Sequence, residues 1–144
     1  MNIEVIQNPS PDDLQTISLG LQSHNTKFIG GVAVEDALKF AVFAKDNVGK
    51  VIGGIRAVAL WDWVNIEVIW VDEKARGAGI GRQLLEKAEA FAMEKDFFFV
   101  SLETASFQAR EFYEKQGYEV FGELDDYPKG HKMFYMKKEL TCAR

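Results

Sequence analysis

One junction constrains the fold more than any other feature. An apolar strand pattern, Asn65 to Val71, leads into Arg76-Gly77-Ala78-Gly79-Ile80-Gly81, and an amphipathic helix opens directly behind it. Ile80, Leu84, Leu85, Ala88, Phe91 and Ala92 fall on one stripe of that helix. The next apolar run, Phe97 to Leu102, is broken only by Ser101 and reads as a strand buried on both faces. Strand, helix and strand in this order imply a parallel pair joined by a right-handed crossover.

The rest of the chain supplies antiparallel pairs around that unit. Residues 2–6 alternate apolar and polar and read as a short strand. Ser10-Pro11-Asp12-Asp13 starts a helix, with a capping serine, proline in the first turn and acids at the positive end of the dipole. Leu14, Ile17 and Leu21 continue it, and Gly20 leaves its end open. Asn25 to Gly31 reads as a loop, with a short helical piece over 33–38. Phe40 to Ala44 and Val51 to Leu60 form a hairpin around Asp46-Asn47-Val48-Gly49, and Gly53-Gly54 marks a bulge. Phe107 to Gln116 is an amphipathic helix with Gly117 where a C-cap belongs. Tyr118 to Gly122 and Lys132 to Lys138 close the chain as two strands, joined by a polar loop containing Asp125-Asp126-Tyr127-Pro128. With no repeat and no linker, the expectation is one domain over 1–144. Its class is α/β (α+β), a central mixed sheet of six to seven strands flanked by helices.

Composition narrows the function. A chain of 144 residues buries enough surface to fold without a staple. One cysteine, Cys142, and two histidines, His24 and His131, exclude a disulfide framework and a cysteine- or histidine-built metal cluster, so no metal is expected. No apolar run nears the ~20 residues of a membrane span, and the start lacks a signal-peptide pattern. The cytoplasm is therefore the expected location, with no membrane partner. A net charge of −5 argues against a nucleic-acid partner.

The glycine-dense junction is where chemistry is expected. Helix N-termini expose unpaired N–H groups at the positive end of the dipole, a ready site for phosphate. Glycines at alternate positions remove side chains that would block one. The amides from Gly77 through Ala78, Gly79, Ile80 and Gly81 to Arg82 are placed to wrap a pyrophosphate, with Arg76 and Arg82 adding positive charge. The spacing is not that of a P-loop. It is not the dinucleotide Gly-x-Gly-x-x-Gly either, because position 82 is arginine.

Arg76-Gly77-Ala78-Gly79-Ile80-Gly81 resembles the Gln/Arg-x-x-Gly-x-Gly/Ala signature of the GNAT superfamily of N-acetyltransferases. Val71 to Ala75, Leu84-Leu85, and Phe112-Tyr113-Glu114-Lys115-Gln116-Gly117-Tyr118 are similar to the same family pattern, and the element order over 2–138 agrees. The resemblance implies a GNAT acyl-CoA N-acyltransferase fold and an acetyl group moved from acetyl-CoA to a primary amine by direct attack in a ternary complex. The acceptor would be a small-molecule or peptide amine, and a homodimer is plausible. It implies that the loop amides hold the pyrophosphate of CoA and that the backbone of Ile69, Trp70 and Val71, on a splayed strand, pairs with the pantetheine arm. An N–H of that strand would also polarise the thioester oxygen.

Two residues carry the expected proton transfers. Glu67 is flanked by Ile66, Val68, Ile69 and Trp70; partial desolvation would make it a better proton acceptor. By strand alternation it shares a face with Asn65, Ile69 and Val71. Base, substrate-amine anchor and plain ion pair remain open for it. Tyr113 aligns with the family tyrosine that protonates the departing thiolate. Ser106 stands where the family usually has asparagine bonding the cofactor arm, and Gln108 is placed to compensate. Glu103, His131 and Asp126-Tyr127 are further candidates near the acceptor; Trp61 and Trp63 read as packing or dimer surface. Two rival readings stand beside the enzyme: a non-catalytic acyl-CoA-binding sensor or regulatory module, and a metabolite-binding protein using the loop for another phosphate.

Overall fold

The structure, a computed structural model, describes residues 1–29 and 36–141. The chain divides into two compact units, Met1–Ala37 and Leu38–Arg144. In the first, residues 2–6 form no strand, which corrects the reading from alternation. Helix α1 runs from Pro11 to Ile29. The expected cap is present, with Ser10 Oγ accepting from the Asp13 N–H at 3.2 Å. The helix passes through Gly20 and absorbs the loop expected at Asn25, because one glycine costs only about 1 kcal/mol in a helix interior. His24 lies within it, against Phe28. Most of the helical piece expected over 33–38 lies outside the described residues, as does Cys142.

The second unit is a mixed sheet with two described α-helices and a short 3-10 turn, Glu73–Ala75. Its elements are β1 (Leu38–Lys45), β2 (Val51–Leu60), β3 (Trp63–Val71), α2 (Ile80–Glu94), β4 (Phe99–Ala105), α3 (Arg110–Lys115), β5 (Glu119–Asp125) and β6 (Lys132–Glu139). The order across the sheet is β1-β2-β3-β4-β6-β5. Among the described strands only β3 and β4 run parallel, as the intervening helix demands. The apolar stripe of α2 packs on one sheet face: Leu84, Leu85, Ala88 and Ala92 are buried against Ile55, Ala57, Ala59, Val64, Ile66, Val100, Leu102 and Met136. A fully buried leucine contributes about 2 kcal/mol, so this stripe is a main tie between helix and sheet. Strand β4 buries Val100, Leu102 and Thr104 on that face, while on the other Phe99 and Ser101 are half-buried, Glu103 is exposed and Ala105 is buried.

Two register features open the sheet on one side. Strands β3 and β4 pair only from Trp63↔Phe99 to Ile66↔Leu102. Beyond that point β4 continues on β6 alone, and β3 continues on β2 alone. The β2–β3 register passes from Ala57↔Ile66 to Arg56↔Val68, skipping Glu67, which is therefore a one-residue bulge. The turn between β2 and β3 places Trp61 and Asp62 at φ of 51° and 75°. Trp63 stacks on Phe99 with ring centroids 5.1 Å apart, so it serves packing.

Candidate functional site

Where β3 and β4 part, a cleft of about 850 Å³ opens. That lies within the usual range of small-molecule sites. Its walls are Glu67–Val71 of β3, Arg76 and the glycine loop, the first turn of α2, the end of β4, and Phe112 and Tyr113 of α3. The structure thus brings together Glu67, Ile69, Trp70, Val71, Arg76, Gly77, Gly79, Ile80, Gly81, Arg82 and Tyr113. It brings neither Ala78 nor Ser106 to the lining.

The loop is shaped by each of its glycines for a different reason. Gly77 and Gly79 adopt φ of 89° and 75°, which a side chain strains. At Gly81 an added Cβ would sit 3.2 Å from Phe112 Cζ, so this glycine lets α2 approach α3. The three glycines are therefore explained by backbone and packing. What marks an anion site is the helix end they create. The N-cap Gly79 offers no side-chain cap, and no acid sits in the first turn. The helical ladder begins with the Gln83 N–H on Gly79 O at 3.1 Å, so the N–H groups of Ile80, Gly81 and Arg82 precede it at the cleft. Arg76 Nε donates to Val71 O at 3.1 Å and ties the loop to the end of β3. Arg82 pairs with Glu86 at 2.8 Å one turn on.

Beyond Ile66 the β4 side of β3 has no strand partner, and its backbone groups face the cleft edge. The cleft therefore offers an extended amide-bearing arm a strand to pair with and offers its phosphates a helix N-terminus. Acetyl-CoA carries both groups, so the residues present fit it.

Glu67 differs from expectation. The bulge breaks the alternation that put it on one face with Ile69 and Val71: those two pack toward the core, as Ile66 does. Its side chain is 42% exposed and its carboxylate lies 3.3 Å from Arg56 Nε, so it is solvated and paired rather than desolvated. Glu103 stands next to it at the parting of the strands; both line the main cleft and a side pocket of about 230 Å³ with Asn65. Asn65 Nδ2 is held by Ser101 Oγ at 3.2 Å.

Tyr113 is 4% exposed, and burial pushes its phenol up to about 12. Its hydroxyl has no hydrogen-bond partner among the described residues. Among the described residues no fully buried polar side-chain atom lacks one, so this hydroxyl opens on the cleft. Ser106 is occupied elsewhere: its Oγ accepts from the Lys132 N–H at 3.1 Å and lies 3.4 Å from His131 Nδ1, which fastens the β5–β6 hairpin. His131 and Asp126-Tyr127 stay in that hairpin loop, outside the lining. Gln108 does reach the cleft, but its Oε1 accepts from the Ala105 N–H at 2.7 Å. The sequence reading missed Val68, Thr104, Phe107, Ala109 and Phe112 as lining. Thr104 and Ala109 start α3 together, the Ala109 N–H donating to Thr104 Oγ1 at 3.2 Å. The available signal was position: these residues follow the last parallel pair of a strand, where α/β sheets open their clefts.

Among the described residues, no three His, Cys, Asp or Glu are placed to hold a metal ion, and no helix is long and apolar enough to cross a membrane.

Comparison with known proteins gives a consistent result. The model of the acetyltransferase (GNAT) family matches residues 7–118. Blasticidin-S acetyltransferase of Streptomyces morookaense is 38% identical over 102 residues, which are 70% of this chain and 75% of that protein. The crystal structure of an acetyltransferase from Bacillus cereus superposes with a TM-score of 0.83 at 31% identity, covering 95% of this chain and 98% of the other. A Bacillus anthracis protein assigned as a streptothricin acetyltransferase, solved with acetyl coenzyme A, gives a TM-score of 0.64 at 28% identity, covering 72% and 63%.

Proposed function

We propose that this chain, which belongs to the GNAT acetyltransferase family, passes the acetyl group of acetyl-CoA to a small-molecule primary amine through the cleft between β3 and β4. Acetyl-CoA-dependent transfer to an amine nitrogen is its activity as a member of that family. The observation that carries the further reading is the parting of β3 from β4 beside the uncapped end of α2. One cleft holds strand edge, anion site, carboxylate and phenol together.

Bound acetyl-CoA supplies an acetyl group activated as a thioester. The N–H groups of Ile80, Gly81 and Arg82 hold its pyrophosphate, with Arg76 and Arg82 adding charge. The free edge of Ile69, Trp70 and Val71 aligns the pantetheine amides as a further strand would. Glu67 Oε takes the proton of the incoming ammonium, directly or through water. Tyr113 Oη, whose proton is held by burial, would give that proton to the departing thiolate. The pairing of Glu67 with Arg56 favours a second role for this carboxylate, that of anchoring the ammonium group. Glu67→Gln separates the two: a lower kcat marks the base, a higher amine KM the anchor.

The same reading takes 1–144 as one N-acetyltransferase domain, since the family match runs across both compact units. It also places the protein in the cytoplasm, where a CoA thioester is at hand, and takes it as a homodimer, which sedimentation tests. The relatives make blasticidin- and streptothricin-like amines the first acceptors to try. The experiment is release of free CoA thiol from acetyl-CoA across a panel of amines, with no-amine controls. Amine-dependent release is expected. Acetyl-CoA binding without release on any amine would favour the sensor instead.

A further inference from the structure

A half-buried ionic cluster joins α2 to β6, and the proposed chemistry does not use it. Glu89, on α2, is paired with Lys138 of β6 at 2.7 Å, their side chains 13% and 25% exposed. The second oxygen of Glu89 accepts from the Tyr118 hydroxyl at 3.0 Å. Burial, and then the charge of Glu89, hold the Tyr118 phenol far above its ordinary range, so it remains a donor to that carboxylate. Lys138 also lies over the Tyr118 ring, 5.5 Å from its centroid.

Tyr118 is in turn the residue that closes α3. The helix ends at Lys115, and Gly117 takes φ of 93°. The Tyr118 N–H donates to Tyr113 O at 3.0 Å and the Gly117 N–H to Glu114 O at 3.1 Å. These are the two bonds of a Schellman motif, whose usual companion is an apolar contact between the same two end residues. That contact is present: the Tyr113 and Tyr118 rings meet edge to face, 6.0 Å apart. Tyr113 is thus held from behind at its carbonyl and at its ring, both times by Tyr118. Tyr118 is held in turn by the helix whose first turn lines the cleft. A phenol with no hydrogen bond of its own has nothing else polar to aim it.

We propose that Tyr118, braced by Glu89 and Lys138, is a positioning residue that holds the Tyr113 phenol in line with the reacting end of the cleft. The inference rests on the reading of Tyr113 as proton donor. A purely structural brace would lower stability and leave the turnover of folded enzyme alone; a positioning brace acts through Tyr113 only.

A double-mutant cycle on acetyl transfer separates these. Tyr118→Phe keeps the ring and removes the hydroxyl. In the wild-type background it is expected to lower kcat about tenfold, with the acetyl-CoA KM unchanged, since small misplacement of a reacting group costs one to two orders of magnitude. In a Tyr113→Phe background the same change is expected to have no further effect on kcat. Equal losses in both backgrounds, or no loss in the first, would overturn the proposal while leaving the role of Tyr113 intact. A Tyr113→Phe enzyme as fast as wild type would instead overturn the donor reading, and the brace with it. Glu89→Gln, which keeps an acceptor for the Tyr118 hydroxyl, and Glu89→Ala, which does not, give the same test if Tyr118→Phe fails to fold. The alanine variant is expected to reproduce the loss and the glutamine variant to recover it; equal kcat in the two would contradict the hydrogen bond as the brace.

Discussion

Strand β3 is two strands end to end. From Trp63 to Ile66 it is zipped to β2 and β4, with Val64 and Ile66 in the core. From Glu67 to Val71 it keeps β2 and loses β4, and Val68 and Trp70 are exposed. The change falls at the bulged residue, Glu67. A bulge adds twist to its strand, and added twist carries β3 away from a neighbour that stays paired in register with β6. The closed half does what sheet interiors do. The open half leaves backbone groups that a protein otherwise covers or blunts. In this molecule they face a cleft with a helix N-terminus on its other side, so the cost of the opening is offset when an amide-bearing anion binds.

Substitutions should divide along the same line. Ile66→Ala, in the closed half, is expected to cost about 3 kcal/mol of stability in denaturant titration while the acetyl-CoA KM of the folded enzyme is kept. Tyr113→Phe, beside the open half, should lower kcat about a hundredfold in the thiol-release assay with CoA affinity kept. Gly79→Val puts a branched side chain at φ 75° on the helix end that faces the cleft. It should raise the acetyl-CoA KM about tenfold and leave kcat at saturation within a factor of about two. The smallest effect is alkaline. The unfolded Tyr113 phenol ionises from about pH 10, while the folded one stays protonated to about 12, so rising pH favours the unfolded chain. Melts should show a loss of about 1 kcal/mol by about pH 11 that Tyr113→Phe removes.

Most of the element order was legible because it is written in local signals. The stripe from Ile80 to Ala92, the Asp46–Gly49 turn and the cap at Gly117 are read within a few residues of chain. The Ser10 cap was equally local. What failed was either local and weak or non-local. Alternation over residues 2–6 is too short to make a strand without a partner. The glycines at 53 and 54 signalled a bulge, and the β1–β2 register does shift beside them, at Ile52. Yet their stronger reason is crowding, since an added Cβ would lie 3.0 Å from Trp70 O at one and 2.9 Å from Val42 O at the other. The bulge that matters, at Glu67, has no glycine to announce it. Its consequence, the exposure of Glu67 and its pairing with Arg56, depends on a strand eleven residues back. Ser106 was placed by motif alone, and the hairpin that occupies its hydroxyl comes some 25 residues later in the chain.

Everything proposed for the cleft depends on the open half of β3 and the first turn of α2 holding CoA together. Backbone amide hydrogen exchange, with and without CoA, tests this at single residues. Exchange should slow for amides within Glu67–Val71 and for Ile80, Gly81 and Arg82, while Val64 to Ile66 stay as they were. Protection that spares both segments, or that spreads evenly over the closed and open halves, would contradict it.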